Sequence, residues 1–228
     1  MTSPHPPKTH SAFSISLRTA VILLLFTASF TALMAVTYLA TRDTIAASAA
    51  EEKLKLIGAV LPSAEYDNAL LGDFLELPPT PALGLDQPSR IYRARKGGEP
   101  VALVFEAAAA DGYSGHIGLI LAVRKTGEVV AVRVTEHRET PGLGDYIDPR
   151  KDKNREHPWI TQFSRLSLDN FPLEKWRVRK DGGNIDQHSG ATISARAVTN
   201  AVARAVQWAA KQGEQIFADS GSTAPAKP

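Results

Sequence analysis

The sequence predicts an α+β protein: an antiparallel strand meander packed with helices, preceded by one N-terminal transmembrane helix. Three observations carry that expectation. A charge-free apolar run lies near the start, short β-type runs are punctuated by glycine turns, and one amphipathic helical segment closes the patterned part of the chain. The length of 228 residues, with 43% hydrophobic and 22% charged, is that of a globular protein with an appendage.

Residues 1–19 form a short tail containing Lys8 and Arg18. Residues 20–40 (AVILLLFTASFTALMAVTYLA) hold no charge. At helical rise they reach roughly 31 Å, the thickness of a bilayer's hydrocarbon. Arg18 and Arg42 bracket the run, and Tyr38 stands where an interfacial aromatic belongs. The run is longer than the apolar core of a signal peptide, although Ala46-Ala47-Ser48-Ala49-Ala50 imitates a cleavage site; a retained anchor is expected. Positive charges nearly balance across it, with Lys8 and Arg18 before and Arg42, Lys53 and Lys55 after. The short tail and the closeness of Arg18 favour a body outside the cytoplasm.

Residues 41–88 read as a helical linker region. Within it Thr44–Val60 keeps helix formers with apolar Ile45, Leu54, Ile57 and Val60, and Leu75–Pro88 is proline-rich and irregular. Residues 89–217 form the main domain. Strands are expected at Arg90–Arg95, Val101–Glu106, Gly118–Val123 and Val129–Val134, with Gly97-Gly98 and Thr126-Gly127 turning the first and last pairs. Pro141–Pro158 is polar and not strand throughout, and the mixed-sign run Asp148–Glu156 reads as a solvated loop. Trp159–Leu166 resembles a short helix, Glu174–Val178 a short strand, and Gly182-Gly183-Asn184 a turn. A helix from Ser194 to Phe217 places Val198, Val202, Ala205, Val206 and Ala209 on one face. Residues 218–228 are low-complexity and expected to be disordered.

Charge and composition exclude several classes of function. Residues 1–40 carry two basic and no acidic side chains, so the remainder holds 26 − 2 = 24 basic against 24 acidic. Despite a pI near 8.8, the body is neutral and is not expected to bind nucleic acid. With no cysteine there is no thiolate iron–sulfur cluster, cysteine zinc site, disulfide, thiol nucleophile or cysteine-linked lipid. No histidine pair stands at metal spacing, and no GxGxxG marks a dinucleotide site. His137 and His188 read as turn or surface histidines.

Two loops hold the residues suited to chemistry. Asp186-Gln187-His188-Ser189-Gly190-Ala191-Thr192-Ile193-Ser194 runs straight into the C-terminal helix. Gly190 and Ala191 leave the backbone open to a ligand, and the free amides of a helix start suit a phosphate. The commoner use of Ser189 or Thr192 would be a plain helix cap. Three hydroxyls and a glycine clustered beyond Asp186 exceed what capping needs. The second loop, His137-Arg138-Glu139-Thr140-Pro141-Gly142-Leu143-Gly144, has a fixed turn and an apolar Leu143, and a plain surface turn explains it equally well. In Gly112-Tyr113-Ser114-Gly115, Tyr113 offers a ring for stacking, though a turn before a strand is the simpler reading.

Asp186-x-x-Ser189-Gly190-Ala191-Thr192 resembles the flavinylation motif of the FMN-binding domain family, and His137–Gly144 resembles that family's second signature. The anchor and the continuation Arg196-Ala197-Val198-x-Asn200-Ala201-Val202 make the similarity greatest to the membrane-anchored G subunits of Rnf ion-translocating electron transport complexes, over most of residues 15–217. The resemblance implies an electron-relaying subunit without turnover of its own. FMN would be esterified through its phosphate to Thr192 by a flavin transferase that uses FAD. Asp186, Ser189, Gly190 and Ala191 would complete the recognised motif, with Ser194 where threonine is common, and Glu139, Thr140, Pro141, Gly142 and Leu143 would lie near the flavin. It also implies a single-pass protein of the bacterial inner membrane, N-terminus cytoplasmic and flavin domain periplasmic. Its partners would be the other Rnf subunits, the flavin transferase and membrane lipid. The C subunit of the sodium-translocating NADH:quinone reductase and a non-redox, membrane-tethered assembly module are the alternatives. A hydrolase using Thr192 as nucleophile lacks an identifiable base.

Overall fold

The computed structural model describes residues 12–219; the expectations for residues 1–11 and 220–228 lie outside them. The chain divides into two units, Met1–Glu51 and Glu52–Pro228.

In the first unit the described residues are all helical and belong to α1, Ala12–Gly58. Between Ile15 and Gly58 this helix is long and apolar enough to cross a membrane, with a mean hydropathy of 2.2 in its most apolar window. Leu23, Leu24, Phe26, Phe30 and Leu33 are all exposed, a surface that water disfavours and hydrocarbon does not. Thr19, Thr27, Thr37 and Thr41 each donate to the carbonyl four residues earlier, at 2.8–3.0 Å, so their hydroxyls need no solvent.

In the second unit, β1 (Phe74–Leu77), β2 (Ser89–Lys96), β3 (Glu99–Gly112), β4 (Gly115–Arg124) and β5 (Val129–Glu136) form one antiparallel sheet in the order β1-β2-β3-β4-β5. Every strand pairs with its neighbour in sequence, the expected meander. The register sets Phe105 opposite Leu121 and Leu121 opposite Val132 on one face; Val104, Ala122 and Ala131 line up on the other. Helix α2, Thr192–Ala218, lays Val198, Val202, Ala205, Val206 and Ala209 into the core with Leu103, Phe105, Leu119 and Leu121. On the opposite face, Ile57, Val60 and Leu61 from the end of α1 and just beyond it cover Tyr92, Ala102, Val104 and Ile120. The sheet therefore lies between two helical layers, and β4 is accordingly buried without a break from Ile117 to Val123.

The C-terminal end of α2 is held by β2. Arg93 Nη1 donates to Ile216 O at 3.3 Å and to Asp219 O, and Arg95 Nη2 donates to Phe217 O at 3.2 Å. Asp73 pairs with both arginines, at 2.6 Å to Arg93 Nε and 2.9 Å to Arg95 Nε. Two guanidinium groups thus meet the last carbonyls of a helix, where the dipole is negative.

Four local expectations need correction. β3 continues past Glu106 through Ala107–Ala110; alanine favours helix, but pairing of Ala107 with Leu119 and Ala109 with Ile117 decides the conformation. The segment read as irregular, Leu75–Pro88, opens inside β1, where Leu75 pairs with Ile91, and is irregular only beyond Leu77. Glu174–Val178 is not a strand: Leu173–Lys175 is a 3₁₀ turn, and Val178 makes an isolated bridge to Ile185. The stretch Asp148–Glu156 is not wholly solvated, because Asp148 and Asp152 are buried. Asp152 accepts from the amides of Asn154 at 2.9 Å and Trp159 at 2.6 Å, which fixes the loop from inside.

Candidate functional site

α2 starts at Thr192 without a side-chain cap, contrary to the expectation that Ser189 or Thr192 serves as one. Ala191 occupies the cap position and offers no side-chain oxygen, so this helix start has no side-chain acceptor of its own. Gly190 just before it has φ +85°, and a Cβ there would meet nothing within 4 Å, so the loop faces open space at this point. The Thr192 side chain is half-buried, and among the described residues no hydrogen bond to another protein group engages its hydroxyl.

Aromatic packing sets the loop that leads into Thr192. The Tyr146 hydroxyl donates to Ala191 O at 3.3 Å and accepts from the His188 amide at 3.2 Å, while the Tyr146 and His188 rings stack with centroids 3.9 Å apart. Burial pushes the Tyr146 hydroxyl above its ordinary value of 10.0, the His188 amide pulling it the other way, so the phenol stays a donor. Trp159 packs edge-on against Tyr146 and donates its Nε1 to Asp186 O at 2.5 Å. Asp186 itself points outward, its carboxylate 2.8 Å from Arg179 Nε.

The second loop meets the first at Ser194. Glu139 is only 4% exposed; its Oε1 accepts from the Ser114 amide at 2.9 Å, and its Oε2 accepts from Ser194 Oγ. Thr140 O accepts from the amides of Leu143 and Gly144, each at 3.1 Å, and the Gly142 amide donates to Asp145 Oδ1 at 2.9 Å. These bonds close Pro141–Gly144 into a tight turn whose Leu143 side chain projects into solvent.

The three loops enclose a cavity of about 230 Å³, lined by Glu139, Thr140, Leu143, Gly144, Gly190, Ala191, Ile193, Ser194 and Tyr113. Tyr113, Leu143 and Ile193 are 66%, 55% and 43% exposed and give it an apolar rim. Of the residues singled out in the sequence, Glu139, Thr140, Leu143, Gly190, Ala191 and Ser194 come together here. Thr192 stands between two lining residues without lining the cavity itself. Pro141, Gly142 and Ser189 lie outside the lining, and Asp186 lines an adjacent cleft with His157 and His188. Tyr113 and Ser114 come from the turn noted for its ring, whereas Ile193, Tyr146 and Trp159 were given no part in the site by the sequence reading. Ile193 is inside the motif and could have been found from its position one residue past Thr192, but nothing in the local pattern marks Tyr146 or Trp159 as the support of that loop.

The chain matches the FMN-binding domain family over residues 112–207 and the RnfG N-terminal region over residues 11–60. It is 44% identical over 187 residues to the G subunit of the ion-translocating oxidoreductase complex of Photorhabdus laumondii, covering 82% of this chain and 87% of that one. The G subunit of Escherichia coli O157:H7 is 43% identical over 196 residues, covering 86% and 92%. That of Yersinia pestis is 43% identical over 191 residues, covering 84% and 88%. The chain belongs to the RnfG family, the G subunits of ion-translocating oxidoreductase complexes. The matched N-terminal region precedes the matched FMN-binding domain, whose range contains every residue that lines the cavity. The match to the N-terminal region favours this family over the C subunit of the sodium-translocating quinone reductase.

The cavity fits a flavin in kind. A hydroxyl without a protein partner and a helix start without a cap suit a phosphate ester, and the apolar rim suits a ring system. Its volume of about 230 Å³ falls below the roughly 300 Å³ at which pockets enclose a whole ligand, so a flavin there would be enclosed only in part.

Proposed function

We propose that this chain is the flavin-carrying subunit of an ion-translocating oxidoreductase complex and relays electrons through FMN attached covalently to Thr192. The observation that carries the reading is the unengaged Thr192 hydroxyl at the uncapped start of α2, between cavity residues Ala191 and Ile193. Thr192 would hold the group through its hydroxyl oxygen, as a phosphoester formed by a flavin transferase from FAD. When bound, the isoalloxazine supplies electron uptake and release.

The protein holds and exposes that group. The α2 amides and the positive end of the helix dipole would offset the one charge left on a phosphodiester at Thr192. Leu143, Ile193 and Tyr113 offer apolar surface, and Asp186, Ser189 and Gly190 belong to the segment that the transferase recognises. Glu139, Thr140 and Ser194 shape the cavity's inner wall, and Pro141 and Gly142 form the turn behind it that presents Leu143. An open side shortens the path to a redox partner, and no independent turnover is expected of such a carrier. α1 holds the chain in the bacterial inner membrane, N-terminus in the cytoplasm and flavin domain in the periplasm. The partners are the other membrane and peripheral subunits, the flavin transferase during maturation, and lipid.

Intact mass of the full chain, co-expressed with a flavin transferase, tests the reading. The wild type should gain the mass of FMN less water, and Thr192→Ala should gain none. An unmodified wild type, with a known substrate of the same transferase modified in parallel, would sink the electron-carrier reading and leave the assembly module.

A further inference from the structure

Glu139 brings a charge into the cavity wall that cavity shape alone does not require. Both of its oxygens accept, one from the Ser114 amide at 2.9 Å and the other from the Ser194 hydroxyl. The Ser114 amide can only donate and the Ser194 hydroxyl is placed to donate, surroundings that suit an ionised carboxylate. Among the described residues no lysine, arginine or histidine forms an ion pair with it. A buried carboxylate without a counter-cation is costly, and a neutral amide of the same shape would cost less. The surroundings are nevertheless built around it. A Cβ on Gly144 would come within 2.5 Å of Ser194 Oγ and 2.9 Å of Glu139 Oε2, so only glycine lets the backbone close over this pair.

We propose that Glu139 is a positioning residue for charge: a fixed negative group in the cavity wall that holds the flavin at a low reduction potential, with Ser194 partly offsetting it. This rests on the flavin reading above. When one electron from a donor protein enters the flavin, no bond forms or breaks, and the ring system gains one negative charge unless a proton accompanies it. A like charge in the same poorly solvated cavity opposes that gain, and the oxidised form is favoured. Glutamine at 139 keeps the shape and one acceptor but removes the opposing charge, so reduction becomes easier. Alanine at 194 removes the hydroxyl that offsets the carboxylate, so reduction becomes harder. The two substitutions act in opposite directions, which a merely structural role for the pair would not produce.

The test uses the full flavinylated chain in detergent, titrated with dithionite beside a reference dye and followed by flavin absorbance. It is run at one fixed, buffered pH for every variant. Intact mass is read first, so that every variant compared carries the same flavin. Glu139→Gln should shift the ratio of reduced to oxidised flavin at a given potential about tenfold toward reduced, equivalent to about 59 mV for one electron. Ser194→Ala should shift it the other way. Loaded variants with the wild-type potential, or two shifts of the same sign, overturn the proposal. Should Glu139→Gln fail to load, Ser194→Ala decides alone, and an unchanged or raised potential overturns it. A wild type that takes no flavin overturns the flavin reading and this inference together, whereas loaded proteins with unmoved potentials overturn this inference only.

Discussion

At the scale of single residues, the loop that supports the cavity depends on buried acids. Asp148 is buried, and burial alone would raise its carboxyl. The hydrogen bonds and charge of Arg150, with a smaller contribution from His137, outweigh that and hold it below its ordinary value of 3.8. An acid depressed on folding stabilises the native state above its unfolded value, and that contribution is lost as pH falls through the folded one. Stability followed by denaturant titration should therefore fall as the pH drops below about 4. Arg150→Ala should flatten this part of the profile and cost about 1 kcal/mol or less near neutrality, because Arg150 itself lies in solvent, where its charge is screened. An Arg150→Ala profile that overlays the wild type would show that the pair contributes nothing. The sequence suggested none of this: a run of alternating charges looks solvated, and only the fold shows that Asp148 and Asp152 turn inward to satisfy backbone amides.

At the scale of elements, α2 is fixed at both ends by different means. Its start relies on Tyr146 and the Glu139–Ser194 contact, and its end relies on Arg93, Arg95 and Asp73. Arg93 is 2% exposed, so replacing it leaves Asp73 short of one partner and the last carbonyls of α2 short of a donor. Arg93→Met should cost about 3 kcal/mol in urea unfolding, whereas a loss under 1 kcal/mol would show that Arg95 suffices alone. Much of α2 was legible beforehand, since Val198, Val202 and Val206 recur at helical spacing, and so were the hairpins flanking Gly97-Gly98 and Thr126-Gly127. The extension of β3 was not. Four consecutive alanines carry no alternation, and only contact with β4 and α2 makes them strand. The candidate site was legible in its two loops because they are unusual locally. Its third wall, the Tyr113 turn, was legible only in part: the ring was noted as free to stack, but joining β3 to β4 is reason enough for a turn there.

At the scale of the whole molecule, the boundary of the folded body does not coincide with the end of the apolar run. Ile57, Val60 and Leu61 are buried against the sheet, and they come from the end of α1 and its exit. A chain beginning at Glu52 should fold and unfold cooperatively, while one beginning at Ser63 loses three buried side chains, roughly 5 kcal/mol of apolar burial. Circular dichroism melts of the two would decide, and equal midpoints would mean that this layer is dispensable. The sequential sheet order has a kinetic consequence as well. Every strand can close on the one made just before it, so the sheet needs only short loop closures, whereas α2 must return to β3 from far along the chain. In a variant keeping only Trp208, which packs on Phe105 with ring centroids 5.4 Å apart, indole fluorescence should trail the far-ultraviolet signal during refolding; coincident traces would mean one concerted step. Since Ser194 reaches Glu139 only once that helix is seated, the cavity should be the last part of the protein to come into being.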